Sequence, residues 1–318
     1  MSARPGRLLG LFLLASVGLM ACAPAPATVT DGAASPPRRA WVPEESPRAV
    51  ILALHGFNDY SNAFAEFGVY AAGKGVAVHA YDQRGFGANP DAGAWPGTEV
   101  LIADLVRERA RLAAEYPGRP IYLLGDSMGA AVIIAAHAQG ASLDVAGRIL
   151  VAPAVWGGDQ LNPFYRATLW LASHLLPGLR VTGDGLAIRP SDNEEMLRAL
   201  GADPLVIKET RVATLAGLVE LMDVALAGAP SLPGPLLVLG GARDEIVPPE
   251  AHQAMLERLR AEPCTSVIYP DGYHMLLRDL QRQVVWDDIL AWLDGRPLPS
   301  GLAEPCGTAA PEVAALPG

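Results

Sequence analysis

The chain has 318 residues, of which 51% are hydrophobic and 18% are charged. It therefore has enough apolar side chains for a large core in one or two domains, and it is not a disordered protein. Acidic residues outnumber basic ones by 34 to 24, and no basic stripe interleaved with aromatic residues occurs, which excludes nucleic acid as a partner.

The first 21 residues predict an export signal. Arg4 and Arg7 precede an apolar run over residues 8–21, which is shorter than the roughly 20 residues that span a bilayer. The run leads into the letters LMAC, which resemble the bacterial lipobox, where the cysteine is acylated and becomes the first residue after cleavage. We therefore expect residues 1–21 to be a lipoprotein signal peptide and Cys22 to be lipidated. The alternative is a plain secretory signal with an incidental cysteine.

Residues 22–37 are rich in Pro and Ala and predict a disordered tether. Several acyl chains on Cys22 would form a firm membrane anchor. Ala23 stands where an Asp is associated with retention in the inner membrane. We therefore expect an exported bacterial lipoprotein that faces the periplasm, with the outer membrane favoured.

Residues 38–153 and 233–296 alternate short apolar runs with longer amphipathic stretches, as strands buried on both faces alternate with crossover helices. Predicted strands are residues 49–56, 76–82, 121–127, 148–154, 235–241 and 265–270, with a candidate edge strand at 39–43. Predicted helices are residues 61–73, 98–116, 128–139, 249–261 and 276–294. This alternation predicts an α/β fold with a mostly parallel, doubly wound sheet.

Residues 154–232 interrupt that alternation. The segment is too long for a structureless loop and contains helical patterns at 162–176, 193–200 and 212–228, so we expect an inserted helical cap over one end of the sheet. The Leu/Trp stripe of 162–176 is expected to pack within the cap, the alternatives being contact with substrate or with lipid.

The C-terminal residues 297–318 are rich in Pro and Ala, and we expect a flexible tail. With Cys22 consumed by lipid, Cys264 and Cys306 are left as one potential pair in an oxidising compartment. The sequence leaves open whether these two cysteines are joined.

Ser127 lies in the motif Gly-Asp-Ser-Met-Gly, which matches G-x-S-x-G. The motif directly follows one predicted strand and precedes a predicted helix, which indicates a sharp strand-to-helix turn that exposes the serine hydroxyl at a helix N-terminus. Gly125 and Gly129 are expected to be required because side chains there would clash as strand and helix close. Ser127 is therefore the candidate nucleophile.

A serine nucleophile needs a histidine base and an orienting acid at the same sheet edge. Among six histidines, His274 lies in a loop just after the last predicted strand. Asp244 follows the preceding strand, and the order Ser, Asp, His is that of the α/β-hydrolase arrangement. Asp271 is an alternative acid, but neighbours on one tight loop seldom aim a carboxylate at the ring.

The tetrahedral intermediate of such a reaction requires backbone donors. The Met128 N–H follows the nucleophile and is the first candidate, and the Phe57 N–H, in the glycine-containing loop after the first long strand, is the second. The alternative for this loop is a simple strand-terminating turn.

Five motifs in order, HGF, YDQRGFG, GDSMGAA, GARDEIVP and GYHML, extend over residues 55–274. They resemble the α/β-hydrolase family and, within it, the monoacylglycerol lipase and lysophospholipase-like group of the serine aminopeptidase type. The resemblance implies that Ser127 is the nucleophile, His274 the general base and acid, Asp244 its orienting carboxylate, and Phe57 and Met128 the oxyanion hole. It also implies that the cap forms an acyl-binding pocket.

The chain departs from the family pattern at two positions. Ala130 stands where a second glycine is usual, and Asp126 stands where lipases often have histidine. Neither removes a catalytic group, although both leave the substrate less defined. Asp82 and Arg84 in YDQRGFG are expected to brace neighbouring loops.

We therefore expect a lipid-anchored serine hydrolase that cleaves carboxylic esters, of monoacylglycerol or lysophospholipid type, through an acyl-enzyme on Ser127. No cofactor and no metal are expected, because H-E-x-x-H and paired C-x-x-C motifs are absent. One alternative is an aminopeptidase or amidase that uses the same triad. Another is a non-catalytic envelope lipoprotein that binds a partner through its cap. The oligomeric state stays open.

Overall fold

A computed structural model describes residues 35–156, 162–183 and 188–307. The predicted signal peptide, Cys22 and most of the predicted tether lie outside the described residues, as do residues 308–318.

Seven of the ten strands in the described residues agree closely with those predicted from the sequence, and three short strands were not predicted. In chain order they are β1 (Arg38–Trp41), β2 (Ala49–Leu54), β3 (Val76–Tyr81), β4 (Ile121–Asp126), β5 (Gly147–Val151), β6 (Arg180–Val181), β7 (Thr210–Arg211), β8 (Leu236–Gly241), β9 (Cys264–Tyr269) and β10 (Glu304–Pro305). Every residue of β2, β3, β5 and β8 is buried, which explains why these strands are apolar throughout and do not alternate.

The helices are α1 (Ala65–Ala72), α2 (Thr98–Glu115), α3 (Met128–Ala138), α4 (Pro163–Leu175), α5 (Glu194–Ala202), α6 (Val212–Gly228), α7 (Pro249–Arg258) and α8 (Arg282–Leu293). Short 3₁₀ helices cover Ser61–Phe64 and Ala229–Ser231. The nine residues from Met128 to Ala136 in α3 are all buried, so this helix runs through the core.

Eight strands form one sheet in the order β1-β3-β2-β4-β5-β8-β9-β10. The six central strands are parallel, and β1 and β10 are antiparallel to their neighbours. One buried cluster includes residues of α2, α3, α6 and α7, and another includes residues of α1 and α8. The predicted α/β architecture with a mostly parallel, doubly wound sheet is confirmed.

The segment between β5 and β8 contains α4, α5 and α6 and a small ribbon in which β6 pairs antiparallel with β7. This ribbon was not predicted, because two-residue strands are too short to show a periodic pattern in the sequence. Among the described residues, Val212–Ser231 is the one helical segment long and apolar enough to cross a membrane. Half of it is buried, and α6 contacts the core helix α3.

Two expectations at the C-terminal end differ from the structure. Helix α8 begins at Arg282 and not at residue 276, because the N–H groups of Met275 and Leu280 donate to Pro190 O and Asp192 Oδ1 in the cap. Residues up to 307 in the expected flexible tail are held in place: β10 pairs with β9, and Cys306 is disulfide-bonded to Cys264.

Candidate active site

Ser127 forms the sharp turn between β4 and α3. Its backbone adopts φ +51° and ψ −107°, a left-handed φ that is strained for a residue with a side chain. The surrounding structure holds the turn: the Ser127 N–H donates to Val151 O at 2.9 Å, and the Ser127 carbonyl accepts from the Ala154 N–H at 3.0 Å. The serine is thus fixed at the carboxyl edge of the sheet, at the N-terminus of α3.

The two glycines of the motif are required by close approach. A methyl group at Gly125 would lie 2.4 Å from Ala130 N, and one at Gly129 would lie 2.1 Å from Leu54 O. Real Cβ atoms do not approach neighbours so closely, so strand β4, helix α3 and strand β2 can meet only around glycine. The expected reason for both glycines is confirmed.

The structure brings Ser127, His274 and Asp244 together. His274 Nε2 lies 3.0 Å from Ser127 Oγ, and His274 Nδ1 lies 2.8 Å from Asp244 Oδ2. All three residues are buried. They come from the ends of three parallel strands, β4, β8 and β9, whose carboxyl ends share one edge of the sheet.

Asp244 is itself fixed by the loop after β8. Its Oδ1 atom accepts from the N–H groups of Ile246 and Val247 at 2.8 and 2.9 Å, which leaves Oδ2 for His274. The alternative acid, Asp271, forms a surface ion pair with Arg243. The carboxylate that meets the imidazole is therefore that of Asp244.

The pKa of His274 lies above its usual range. Burial lowers the pKa of this imidazole, but the contacts with Asp244 and the nearby charge of Asp126 outweigh burial and the Arg278 charge, so that the net shift is upward. Raising the basicity of His274 favours acceptance of a proton from Ser127.

The loop that carries Phe57 lies beside the nucleophile. A methyl group built at Gly56 would be 3.5 Å from Ser127 Cβ, in ordinary van der Waals contact. Met128 is the first residue of α3, so its N–H has no acceptor within the helix. The Gly56 backbone thus lies beside Ser127, and Met128 follows Ser127 directly at the start of α3. The role of the Phe57 and Met128 N–H groups as the oxyanion hole stays a prediction.

His55 braces this loop, a role that the sequence did not reveal. Its Nδ1 lies 2.8 Å from Gly56 O, its Nε2 accepts from the Gln83 N–H at 2.9 Å, and the Gln83 amide donates to His55 O at 2.8 Å. Burial lowers the pKa of His55, so the ring is neutral and donates from Nδ1.

A sequence profile of the family described as serine aminopeptidase, S33, matches residues 45–281. The chain belongs to this family. Its members are α/β-hydrolases, and the chain is an ester hydrolase of that group.

The chain aligns with lipases of this family over most of its length. A monoacylglycerol lipase of Mycolicibacterium smegmatis is 28% identical, over 80% of this chain and 90% of its own. A human monoglyceride lipase is 26% identical, over 84% and 89%. The crystal structure of the Paleococcus ferrophilus monoacylglycerol lipase covers 82% of this chain and 99% of its own, with 21% identity and a TM-score of 0.70.

A second solved structure with a TM-score of 0.70 is a soluble variant of the Saccharomyces cerevisiae monoglyceride lipase in complex with a substrate analogue. It is 18% identical and covers 85% of this chain and 99% of its own. At this identity the two structures establish the shared fold.

Asp126, one of the two departures from the family pattern, is a buried carboxylate next to the nucleophile. Its side chain is buried, and its Oδ2 lies 3.8 Å from a methyl group built at Gly56. Burial raises the pKa of Asp126 to about 6, against the opposing charges of Arg278 and His274. This family member therefore carries an additional ionisable group at its reaction centre.

An ion pair that the sequence did not predict lies beside these groups. Arg278 donates to Asp59 Oδ2 at 2.6 Å; Asp59 is buried, and the Arg278 side chain is 11% exposed. It joins the loop after His274 to the loop after Phe57. Sequence spacing holds no signal for this pair, because its members are more than 200 positions apart.

The cap is tied to the loop of His274 through Asp279. This carboxylate accepts from Ser191 Oγ at 2.6 Å and from the Tyr273 N–H at 2.8 Å. Asn193 adds a hydrogen bond from its side-chain amide to Arg278 O at 2.9 Å. The start of α5 thus supports the histidine loop directly.

The expected bracing role of Asp82 and Arg84 is confirmed. Asp82 accepts from the Ser61 and Ala88 N–H groups, and Arg84 donates to Asp104 at 2.7 Å. Within residues 35–156, 162–183 and 188–307, no group of three or more His, Cys, Asp or Glu side chains is placed to hold a metal ion.

Proposed function

We propose that the protein is an exported, lipid-anchored serine hydrolase that cleaves esters of the monoacylglycerol or lysophospholipid type through an acyl-enzyme on Ser127. The observation that carries the proposal is the continuous hydrogen-bonded chain from Ser127 Oγ through His274 to Asp244, with distances of 3.0 and 2.8 Å. This arrangement activates a serine hydroxyl that is otherwise a weak nucleophile.

In the first half-reaction, His274 Nε2 accepts the proton as Ser127 Oγ attacks the ester carbonyl. Asp244 stabilises the resulting imidazolium, and the Phe57 and Met128 N–H groups donate to the oxyanion. Collapse of the intermediate breaks the bond to the alcohol, which leaves with the proton from His274. Water then attacks the acyl-enzyme by the same route, with His274 as base, and releases the fatty acid and free Ser127.

The substrate class is inferred from relatives and from the surface of the cap. The Mycolicibacterium smegmatis and human relatives are a monoacylglycerol and a monoglyceride lipase, and they align over at least 80% of this chain. The cap also exposes large apolar side chains on α4, which suits a protein that meets lipid.

Lipid attachment at Cys22 and residence in the outer membrane form a separate part of the proposal. It is supported by the lipobox-like LMAC and by Ala23 after the cysteine. Expression of the full chain in a bacterial host with labelled palmitate should label the wild type and leave Cys22→Ser unlabelled, and membrane fractionation should recover the label with the outer membrane. Equal labelling of both chains would contradict attachment at Cys22.

The catalytic proposal is tested with Ser127→Ala. We expect turnover of monoacylglycerols and short p-nitrophenyl esters to fall at least about a thousandfold, with an unchanged circular dichroism spectrum. Ser142→Ala is the matched control, because Ser142 is exposed, and it should retain activity. Retained turnover or labelling by a fluorophosphonate in Ser127→Ala would exclude Ser127 as nucleophile.

A second candidate activity is the cleavage of amides, because the family is named after a serine aminopeptidase. The same triad cleaves both ester and amide bonds. A panel of aminoacyl amides and monoacylglycerols, measured on one preparation, separates the two activities by their kcat/KM. A higher kcat/KM for amides would replace the ester proposal while leaving the role of Ser127 intact.

A further inference from the structure

Residues 190–193 of the cap, which we call the strap, lie against the loop over residues 273–280 that carries His274. Each of the four strap residues forms a hydrogen bond to this loop, at 2.6 to 3.0 Å: Pro190 with Met275, Ser191 with Asp279, Asp192 with Leu280 and Asn193 with Arg278. The described loop contains neither helix nor strand. Its conformation therefore depends on groups outside it, and the strap supplies four of them.

The contact between Ser191 and Asp279 is the most buried part of the strap. Both residues are 0% exposed, and Ser191 Oγ donates to Asp279 Oδ1 at 2.6 Å. The same hydroxyl accepts from the Asn193 N–H at 3.1 Å. A buried carboxylate that loses a donor keeps a charge that water cannot reach, which is strongly unfavourable. The bond therefore holds the strap and the loop together.

Asp279 extends this constraint to the residue before His274. Its second oxygen, Oδ2, accepts from the Tyr273 N–H at 2.8 Å. One buried carboxylate thus joins the hydroxyl of Ser191 to the backbone that leads directly into the histidine. Alignment at this point matters, because a misplacement of about 1 Å can lower the rate of an enzyme by about 100-fold.

The strap holds the two residues that flank His274. Tyr273 is bonded through Asp279, and the Met275 N–H donates to Pro190 O at 3.0 Å. Hydrogen bonds from the core meet the chain farther out on both sides, from the Arg243 N–H to Gly272 O at 2.9 Å and from Trp286 Nε1 to Leu277 O at 3.1 Å. The backbone next to the imidazole is thus fixed from the cap.

We propose that Ser191, through Asp279, positions His274, so that the base is aligned with Ser127 only while the strap is in place. Ser191 and Asp279 are positioning residues, because they act through the Tyr273 backbone. The cap thereby takes part in the chemical step. This role rests on the hydrolase chemistry proposed above for Ser127 and His274, and it adds to that chemistry a dependence on four residues of the cap.

The first test is Ser191→Ala, which removes the hydroxyl. We expect kcat for a soluble short-chain ester to fall at least about tenfold with KM unchanged, because alignment of the base is lost and substrate binding is not. Ser191→Thr keeps the hydroxyl and should restore most of the lost kcat. The matched control is Ser266→Ala, which removes a buried hydroxyl that donates to Glu304 O at 3.3 Å and should leave kcat unchanged. Circular dichroism at the assay temperature gives the folded fraction by which each rate is divided.

Asp279→Asn tests the bridge itself. The amide oxygen can still accept one hydrogen bond and the amide nitrogen can donate to Ser191 Oγ, but the charge that holds both donors is lost. We expect kcat to fall in this variant too. If both residues act through one contact, Ser191→Ala/Asp279→Asn should lose no more kcat than the more damaging single substitution. Losses that multiply would show that Ser191 does not act through Asp279.

The pKa of His274 gives a readout that needs no turnover. Burial lowers this pKa, and contact with Asp244 more than offsets burial, while the charges of Asp126 and Arg278 are the same in every variant tested. Ser191→Ala should lower the pKa of His274, because the imidazole loses its alignment with Asp244. NMR titration of the ring measures it, and His274→Gln assigns the resonance. If the wild type hydrolyses no ester, the proposed function fails, and this titration still decides whether the strap positions His274.

Two results would overturn the positioning role. One is a folded Ser191→Ala that keeps the kcat of the wild type and the pKa of its His274. The other is a loss of kcat in Ser266→Ala as large as that in Ser191→Ala, which would assign the effect to the removal of any buried hydroxyl. If Ser191→Ala does not fold, the same measurements on Asp279→Asn decide, with Asp288→Asn, at another fully buried carboxylate, as the control.

Discussion

The active site and the cap helix α4 differ in burial. Ser127, Asp244 and His274 are each less than a tenth exposed. In α4, every side chain whose burial is described is exposed or half-buried. The first region is formed by strand ends whose atoms are fixed by backbone hydrogen bonds and by close contact around glycine. The second packs against α6. Reaction geometry that must be kept within tenths of an ångström is thus placed in the core, and contact with the surroundings is placed on the cap.

The largest effect is expected at Asp244, the carboxylate that orients His274. Asp244→Asn should lower kcat by about 10⁴-fold with little change in KM, because the amide cannot hold the His274 tautomer that accepts the proton from Ser127. The measurement is steady-state kinetics on a soluble ester. Asp271→Asn, which alters a surface ion pair, is the control and should stay within twofold of wild type. Equal losses in both variants would argue against the assignment.

Two glycine substitutions compare the stability of the active-site turn with that of the cap. Gly129→Ala should destabilise the fold by about 3 kcal/mol, because its methyl group would lie 2.1 Å from Leu54 O. Gly201→Ala in the cap helix α5 meets no atom within 4 Å and should instead stabilise by about 1 kcal/mol. Urea unfolding of both variants measures the difference. Similar losses of unfolding free energy in the two variants would show that the turn at Ser127 is less tightly packed than its geometry indicates.

Asp126→Asn tests the extra carboxylate through the pH profile. The charge of Asp126 contributes to the raised pKa of His274, so removing it should lower that pKa. The base must be neutral, so kcat/KM falls as the pH drops through the His274 pKa. The acid limb of the variant should therefore move to lower pH, as loss of a nearby negative charge predicts. An unchanged limb would mean that Asp126 does not act on His274.

The same substitution has an expected effect on stability. Burial raises the pKa of Asp126 from 3.8 to about 6, so its burial disfavours the charged form. Stability is therefore lost as the pH rises from about 4 to 6, and Asp126→Asn should recover up to about 3 kcal/mol at pH 7.5 and nothing below pH 4. Thermal unfolding at the two pH values measures this. A variant that is destabilised at pH 7.5 would contradict it.

The smallest effect is expected on the exposed side of helix α4. Leu171→Ala should change the free energy of unfolding by less than about 0.5 kcal/mol, since the side chain is exposed. Leu123→Ala in β4 removes a fully buried side chain and should cost about 2–5 kcal/mol. A loss at Leu171 comparable to that at Leu123 would show that α4 is covered by protein in solution.

The strands of the core were predictable because continuous apolar runs between turn residues have one common explanation, a strand buried on both faces. The positions of Ser127, Asp244 and His274 followed from the rule that parallel strands end at one edge. The G-x-S-x-G motif suggested Ser127 as the nucleophile. The positions of Asp244 and His274 at the ends of two further strands made that assignment specific. This part of the site was therefore encoded locally, one strand end at a time.

The remainder depended on tertiary contacts that leave no local pattern. The Asp59–Arg278 ion pair and the Asp279–Ser191 hydrogen bond join residues far apart in the chain. The start of α8 was placed too early for the same reason, because Met275 bonds to Pro190 in the cap and does not continue the apparent helix. The exposure of α4 was missed because an apolar stripe has the same spacing whether it faces a core or the molecular surface.

The pairing of β10 with β9 protects one edge of the sheet, as β1 does at the other. A parallel sheet with a bare outer strand offers unpaired N–H and C=O groups to any other extended chain. Here both outermost positions are taken by short antiparallel strands near the two ends of the described chain, one with Arg38 and Arg39 and the other with Pro305. Charged residues, proline and short length each disfavour the addition of another strand. The Cys264–Cys306 disulfide holds β10 next to β9. The two short outer strands therefore disfavour aggregation through the edges of the sheet.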